Sequence, residues 1–491
     1  MLILYNPTSS AGRKPILPMS LLALGAVLEG KHDYRIIDGN LEKDPLNALN
    51  RAVLETRTDI MGITVMPGPQ LNHAFPLCRQ LKALHPSLRI IWGGYFPTQH
   101  PGACLHSGCV DFVVRGCGEF AFETLVETLR SGGDVSKVPS LSYTDPASGE
   151  VVSTPSSRVP DPDSLPDFPY HRIDTSRYIR KSFLGSRTIA HHSSYGCPFA
   201  CDFCAVIHMA KGKWQAQSAD RLAASVSRLV QQWDADAVEF YDNAFFVSET
   251  RTAEFAEKIR HLGIKWWGEA RIDTLLKYSE QTWKLMQASG LKMVFMGAES
   301  GSDAVLKRMN KGGTASVGNT LAIAEKMKQY GMVPEFSFVL GNPPDPEEDI
   351  QSTLEFIRKV KKVNRAAEII LYLYAPVPGK GELYGQAMST GFQFPETLEE
   401  WTGPQWRAFS ERRYLRVPWL EPRLVKKVRN FECVLNAYYP TTTDHRLRGP
   451  RKWVLKTVSA WRYWLRVYNF PLELMFLQKL FAYKRPETSG F

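Results

Sequence analysis

Short apolar runs alternate with amphipathic stretches along most of the chain, and the hydrophobic period switches between that of a strand and that of a helix. LILYN (2–6), YRIIDG (34–39), IMGITVM (60–66), LRIIWGG (88–94) and DFVVRG (111–116) are β-branched or aromatic and end near Gly, Pro, Asn or Asp. That pattern predicts five buried strands. Helical spacing over 20–29, about 70–84 and 119–131 fills gaps between them. The alternation predicts a doubly wound, Rossmann-like α/β domain over 1–133, with any ligand beyond the strand C-termini. Residues 134–185 change character: Gly, Ser, Pro and Asp dominate VSTPSSRVPDPDSLPDFP, which predicts a linker with one hairpin over 140–153.

From 186 the alternation resumes. Strands are expected over 186–193, 237–242, 264–270, 292–299, 334–341 and 368–375, with helices at 218–232, 250–261, 315–330 and 347–362 among the segments between. Six β/α units predict a partial (β/α)6 TIM-like barrel over 186–395, its chemistry on the C-terminal strand ends. Beyond it, 396–491 reads as an α-helical region.

Composition sharpens the tail most. Apolar residues at 44% and charged residues at 22% describe a globular chain, and 491 residues exceed one ordinary core. The net charge of +10 belongs to the end of the chain, where residues 401–491 hold 18 Lys and Arg against 6 Asp and Glu. There Trp453, Val454, Val458, Trp461, Trp464, Leu465 and Tyr468 recur at helical spacing among Lys and Arg. Two readings fit: a helical cap whose aromatic face is core, or a face lying on an anionic membrane surface. No recognition module accompanies the charge, so nucleic acid is not an expected partner. The start lacks a basic leader with a cleavage site, and no apolar stretch reaches the roughly 18 residues that span a bilayer. A cytoplasmic protein is expected, with peripheral contact at the inner membrane surface as the variant the tail suggests.

Of eight cysteines only three cluster: YGCPFACDFC sets Cys197, Cys201 and Cys204 at spacings of four and three, directly after a predicted strand. Such a trio reads as metal or redox chemistry. Thiolates hold iron–sulfur clusters, and three of them leave one iron of a four-iron cube open to a chelating small molecule. Zinc would recruit a fourth ligand, which His191, His192 or His208 could supply. A purely structural loop is the third reading.

With Phe203 just before the last Cys, the C-x3-C-x2-C segment resembles the signature of the radical S-adenosylmethionine (SAM) superfamily. The resemblance implies a [4Fe–4S] cluster on Cys197, Cys201 and Cys204 that cleaves SAM to a 5′-deoxyadenosyl radical. It also implies SAM contacts from Phe203 and from successive strand ends: Asp242 and Asn243, Glu269 and Arg271, Glu299 and Ser300. Arg271 suits a carboxylate, and Glu299 a ribose hydroxyl or the SAM ammonium. GNPPDPEED (341–349) is similar to the family's G-x-P-x-E-T segment, with Asp in place of Thr. YAPVPGKGELY is similar to its P-x-P-G-T-x-L-Y segment.

Upstream, GGYFPTQHPGACLHSGCVDFVVRGCGEFAFETL (93–125) resembles the cobalamin-binding domain of one radical SAM subgroup. Cobalamin contacts are thereby implied for Thr64, Met66, Gly93, Gly94, Thr98, Gly116, Gly118 and Glu119, the glycines letting backbone approach a large ligand. Cys117 stands where that family has Glu. No D-x-H-x-x-G motif marks a cobalt ligand, so base-off cobalamin is implied. A Rossmann-like sheet that binds nothing is the alternative; G-x-G-x-x-G is absent after the first strand.

The subgroup includes cobalamin-dependent methyltransferases and the anaerobic magnesium-protoporphyrin monomethyl ester cyclase. The resemblance therefore implies an enzyme that C-methylates an unactivated carbon of a small lipophilic or natural-product substrate. Its electrons would come from a reductant such as flavodoxin or ferredoxin. Oxidative cyclisation or rearrangement of a tetrapyrrole or lipid-like substrate is the alternative. A non-catalytic cobalamin- or SAM-binding protein is the reading from another class.

Overall fold

The computed structural model describes residues 1–9, 15–311, 314–410, 417–441, 447 and 449–483. The side chain of His208, one candidate fourth metal ligand, lies outside the described residues. Strands β1 (Leu2–Asn6), β2 (Tyr34–Asp38), β3 (Ile60–Thr64), β4 (Arg89–Gly93) and β5 (Phe112–Val114) form a parallel sheet in the order β2-β1-β3-β4-β5. The order reverses at β1 and β3, so a crevice opens beyond their C-termini. The predicted hairpin forms β6 (Leu141–Thr144) and β7 (Val151–Ser153), which add to β5 antiparallel. Part of the segment expected as linker thus extends the first sheet. Sequence reading also passed over the helix Pro45–Thr56, whose cap Asp44 accepts from the Asn47 N–H at 3.1 Å.

The second unit contains β8 (Thr188–His191), β9 (Ser194–Gly196), β10 (Trp214–Ala216), β11 (Ala237–Phe240), β12 (Lys265–Ala270), β13 (Leu291–Glu299), β14 (Val333–Leu340) and β15 (Glu368–Leu373). Six of these run parallel in the order β15-β14-β13-β12-β11-β8, the expected partial barrel, while β9 and β10 form an antiparallel flap. Ser218, Ser248, Ser279 and Ser316 cap helices between the strands with side-chain bonds, each worth about 1 kcal/mol.

The segment between the sheets is polar yet tied down. Tyr178 donates to Asp38 at 2.9 Å, Arg172 pairs with Glu29 at 2.6 Å, and Arg228 pairs with Asp167 at 2.5 Å. Leu17 and Leu22 of the first unit join the barrel's core. Phe394, Trp401 and Trp406 wrap back onto the first unit, where Trp401 meets Phe96 at 5.2 Å and His100 at 4.6 Å. Burial there pushes the His100 imidazole down to about 4.

In the tail, helices Pro450–Leu465 and Leu472–Leu480 form, but the buried face of the first is Leu455, Ser459, Arg462 and Tyr463. Trp453, Trp461, Trp464 and Leu465 stand outside. Val458 and Tyr468 of the same stripe pack against the core, so the stripe is divided between an inward and an outward part. No described helix is long and apolar enough to cross a membrane.

Inside the barrel, Glu335 accepts from Trp267 Nε1 at 3.1 Å. Burial, then the charges of Glu368 and Glu239, raise its carboxyl to about 8. A raised acid keeps its proton in the folded chain at pH values where the unfolded chain has lost it. Stability is then full below the unfolded value of 4.5 and falls as pH rises towards about 8, by roughly 1.4 kcal/mol per pH unit for one proton. Glu335→Gln keeps the Trp267 bond and removes the ionisation, so its melting temperature should fall less than the parent's across that window. Parallel thermal-denaturation curves for the two proteins would exclude Glu335 as the cause.

Candidate active site

The three cysteines lie on the loop between β9 and the helix Val206–Ala210. Gly196 has φ +75°, and a Cβ there would overlap the Lys213 carbonyl oxygen and the Ala210 methyl, so only glycine lets the flap close beside Cys197. Other strand ends then hold the loop. Arg271 lies 4.1 Å from the centre of the Phe199 ring and donates from Nη1 to Cys201 Sγ at 3.2 Å. Asn310 donates to Asp202 at 3.2 Å, and Gly381, at φ +119°, leaves room for the same carboxylate. Phe203, implied as a SAM contact, packs against the cluster of Val305, Met309, Tyr374, Leu383 and Ala387 and so anchors the loop.

Burial raises all three thiols, Cys204 to about 12, while the charges of Arg271 and Lys311 pull Cys197 and Cys201 back down. Adjacent cations favour the thiolate, the form that binds iron. Among the described residues no three His, Cys, Asp or Glu side chains converge on a single ion; a four-iron cube takes its thiolates one per iron. His191 is engaged elsewhere, bonded through Nδ1 to the Tyr170 hydroxyl at 2.9 Å. A thiol trio beside two cations, with Cys201 buried and the other two half-buried, fits a cluster.

The implied SAM residues divide. Arg271 is gripped by Asp273 at 2.9 and 2.8 Å and by the Lys311 carbonyl at 2.7 Å. Its guanidinium is thus held by the protein and turned toward Cys201, where the resemblance implied a free carboxylate clamp. Glu299 sits at a bulge with φ +64°, and its buried carboxylate pairs with buried Lys311 at 2.6 Å. Gly297 leaves the space for that pair, since a Cβ there would overlap both partners. Asp242 is buried and accepts from the Ser193 N–H at 2.9 Å and hydroxyl at 3.0 Å, while its Oδ2 finds no hydrogen-bond partner among the described residues. Glu269 stands near it, and burial with the charges of Asp242 and Glu335 raises its carboxyl to about 8. Asn243 is exposed beside Asp242.

Ser300 lies behind the strand end. It is fully buried, donates to Asp349 at 3.1 Å and meets Thr353 at 3.3 Å. Asp349, the last residue of the GNPPDPEED segment, also accepts from the Gly341 and Asn342 N–H groups at 2.8 and 3.1 Å and pins the loop after β14.

On the first sheet, Thr98 Oγ1 donates to the Gly94 carbonyl at 2.7 Å and accepts from the Gly116 N–H at 2.9 Å, tying two loops together. Gly94 has φ +96°, and a Cβ there would crowd Thr64 Oγ1 and Val65 at 3.2 Å. Met66 is exposed on the loop after β3; Gly93 and Gly118 back onto Val114. Glu119 opens a helix, yet its carboxyl is buried toward Tyr195 and His192 of the barrel. The Glu119 carboxyl and the Tyr195 hydroxyl face each other, and His192 Nε2 is buried without a hydrogen-bond partner among the described residues.

The two sets of strand ends face each other. A Cβ on Gly116 would meet the Met209 carbonyl at 3.4 Å, and the short helix Tyr95–Gln99 packs against the helix Val206–Ala210 that follows the cluster loop. Glycine-lined loops opposite the cluster loop, with buried polar groups between, fit a large polar-rimmed ligand such as cobalamin. Sequence reading missed Lys311, Asp273, Ser193 and the chain Gln70–Asn6–Asp38, bonded at 2.9 and 3.0 Å where the strand order reverses. Polar residues ending buried strands, as Asn6 and Asp38 do, were the available signal.

Residues 192–357 match the family model of the Radical SAM superfamily, and residues 13–126 match that of the B12 binding domain. The chain carries a Radical SAM domain and an N-terminal B12 binding domain, which imply a [4Fe–4S] cluster, SAM and cobalamin as its cofactors. It is 26% identical over 368 residues to an uncharacterised methyltransferase of Pyrococcus horikoshii, covering 73% of this chain and 78% of the relative. It is 25% identical over 337 residues to the anaerobic magnesium-protoporphyrin IX monomethyl ester cyclase of Synechocystis, covering 64% of each. The solved structure of OxsB, a cobalamin-dependent S-adenosylmethionine radical enzyme with aqua-cobalamin bound, shares the fold. Its TM-score is 0.68 at 18% identity, over 98% of this chain and 75% of that one.

Proposed function

We propose that the chain is a cobalamin-dependent methyltransferase acting on an unactivated carbon of a small lipophilic or natural-product substrate. The observation that carries this is the juxtaposition of the two sheets' C-terminal ends, with the helix Tyr95–Gln99 against the helix Val206–Ala210 and Gly116 against Met209. When bound, the cluster supplies the electron that cleaves SAM and cobalamin supplies the methyl group. Cys197, Cys201 and Cys204 hold the cluster, and Arg271 screens its negative charge through Cys201. The free oxygen of Asp242, with Glu269 near it, attracts the cationic groups of SAM, and a bound cation favours loss of the Glu269 proton. Glu299 contributes through its pair with Lys311, which fixes the end of β13. Thr64, Met66, Gly93, Gly94, Thr98, Gly116, Gly118 and Glu119 line the cobalamin side. These walls place donor and acceptor in line and exclude water and oxygen. A flavodoxin- or ferredoxin-class reductant supplies the electrons.

Feeding methyl-deuterated methionine to anaerobic cells with and without the chain tests this reading. A metabolite carrying an intact labelled methyl group only when the chain is present is expected. A new product with an added ring and no label would assign the site to the cyclase chemistry of the Synechocystis relative instead.

A further inference from the structure

We propose that the two C-terminal helices seat the protein on an anionic membrane surface. Ten of the fifteen exposed large apolar side chains among the described residues fall between Trp453 and Leu480. They are ordered. Trp453, Trp461 and Trp464 share one stripe of the helix Pro450–Leu465, at i, i+8 and i+11, and are 67%, 49% and 60% exposed. Leu472, Met475, Phe476 and Leu480 do the same on the helix Leu472–Leu480, at 67%, 53%, 66% and 63%. A helix resting on a protein core turns this stripe inward. Here the inward stripe is already supplied by Leu455, Ser459, Tyr463 and Leu474.

The presentation is rigid. Arg462 ion-pairs with Glu473 and donates to the carbonyls of Val467, Asn469 and Phe470, which fixes the turn between the helices. Trp464 is held by an indole bond to the Tyr438 hydroxyl at 3.0 Å. Such a scaffold displays its apolar side chains as a surface.

Charge selects the occupant. Arg451, Lys452, Lys456 and Lys479 are exposed, and Glu473, the one acid between 449 and 483, is taken by Arg462. A second copy of this face would set basic groups against basic groups. An anionic bilayer supplies both what the tryptophans need, an interface between headgroup and acyl chain, and what the lysines need. The proposal is independent of the reaction assigned above.

The test is co-sedimentation of the full chain, cofactors loaded, with vesicles of phosphatidylcholine alone or enriched in phosphatidylglycerol, at low and high salt. Binding to the anionic vesicles is expected, weakened by salt and at least about tenfold tighter than to phosphatidylcholine. The variant W453S/F476S/L480S should lose about tenfold or more in binding while keeping its melting temperature and SAM cleavage. The variant K452E/K456E/K479E should lose the preference for anionic vesicles. Absent binding to phosphatidylglycerol vesicles, or undiminished binding by the apolar variant, overturns the proposal. So does a concentration-dependent dimer, without vesicle binding, that the apolar variant dissociates; that result assigns the face to a second copy.

Discussion

Cys201→Ala should purify without the iron–sulfur absorbance near about 400 nm and without any SAM cleavage, even after anaerobic reconstitution. Of the three cysteines Cys201 is the most embedded in the site, buried and bonded from Arg271 Nη1. Its loss removes one iron's ligand and leaves the Arg271 donor without its acceptor. The fold should survive, because the loop remains held by Phe203 in its apolar cluster and by Asn310 on Asp202. A variant with native melting behaviour and no cluster is the expected combination. Full SAM cleavage by this variant, or by Ala variants at Cys197 or Cys204, would refute the assignment of the trio.

Lys311→Met should cost about 3–5 kcal/mol of stability, the range for stranding one member of a buried ion pair. Both side chains are under a tenth exposed, and the Glu299 carboxylate would keep its burial and lose its cation. The same change removes a positive charge that acts on Cys197 and Cys201 and shifts the carbonyl that holds Arg271. Slower SAM cleavage with cluster retained should accompany the lower melting temperature. The double variant Lys311→Met/Glu299→Gln separates the causes: it should regain much of the stability, since the stranded charge is gone, without regaining SAM use. Equal melting temperatures for Lys311→Met and the parent would show that the pair contributes little.

The hydrophobic period alone located the strands of both sheets to within a few residues, because buried parallel strands are continuous apolar runs that little else imitates. Strand ends were legible for the same reason: a polar residue closing such a run, like Asp242 or Glu269, marks the C-terminal end of a strand. Which polar residue points at the ligand was not legible. Glu299 and Ser300 are neighbours in GAES, yet a bulge at Gly297 to Glu299 aims one toward Lys311 while the other bonds Asp349 and Thr353 behind the strand. Lys311 itself lies on a loop, where no spacing connects it to Glu299. The hairpin over β6 and β7 looked like linker because its partner, β5, lies in another part of the sequence. In the tail the helical spacing was plain, but the choice of buried face rests on how Leu455 and Tyr463 fit their neighbours, which periodicity does not encode.

The central claim is that one chain couples the cluster and cobalamin across the facing strand ends. Its most direct measurement is anaerobic reconstitution with iron, sulfide and cobalamin, then addition of SAM and reductant with mass analysis of the SAM-derived products. The account predicts both 5′-deoxyadenosine and S-adenosylhomocysteine, the second appearing only when cobalamin is bound. 5′-Deoxyadenosine without S-adenosylhomocysteine in the cobalamin-loaded protein, or neither product, would contradict it.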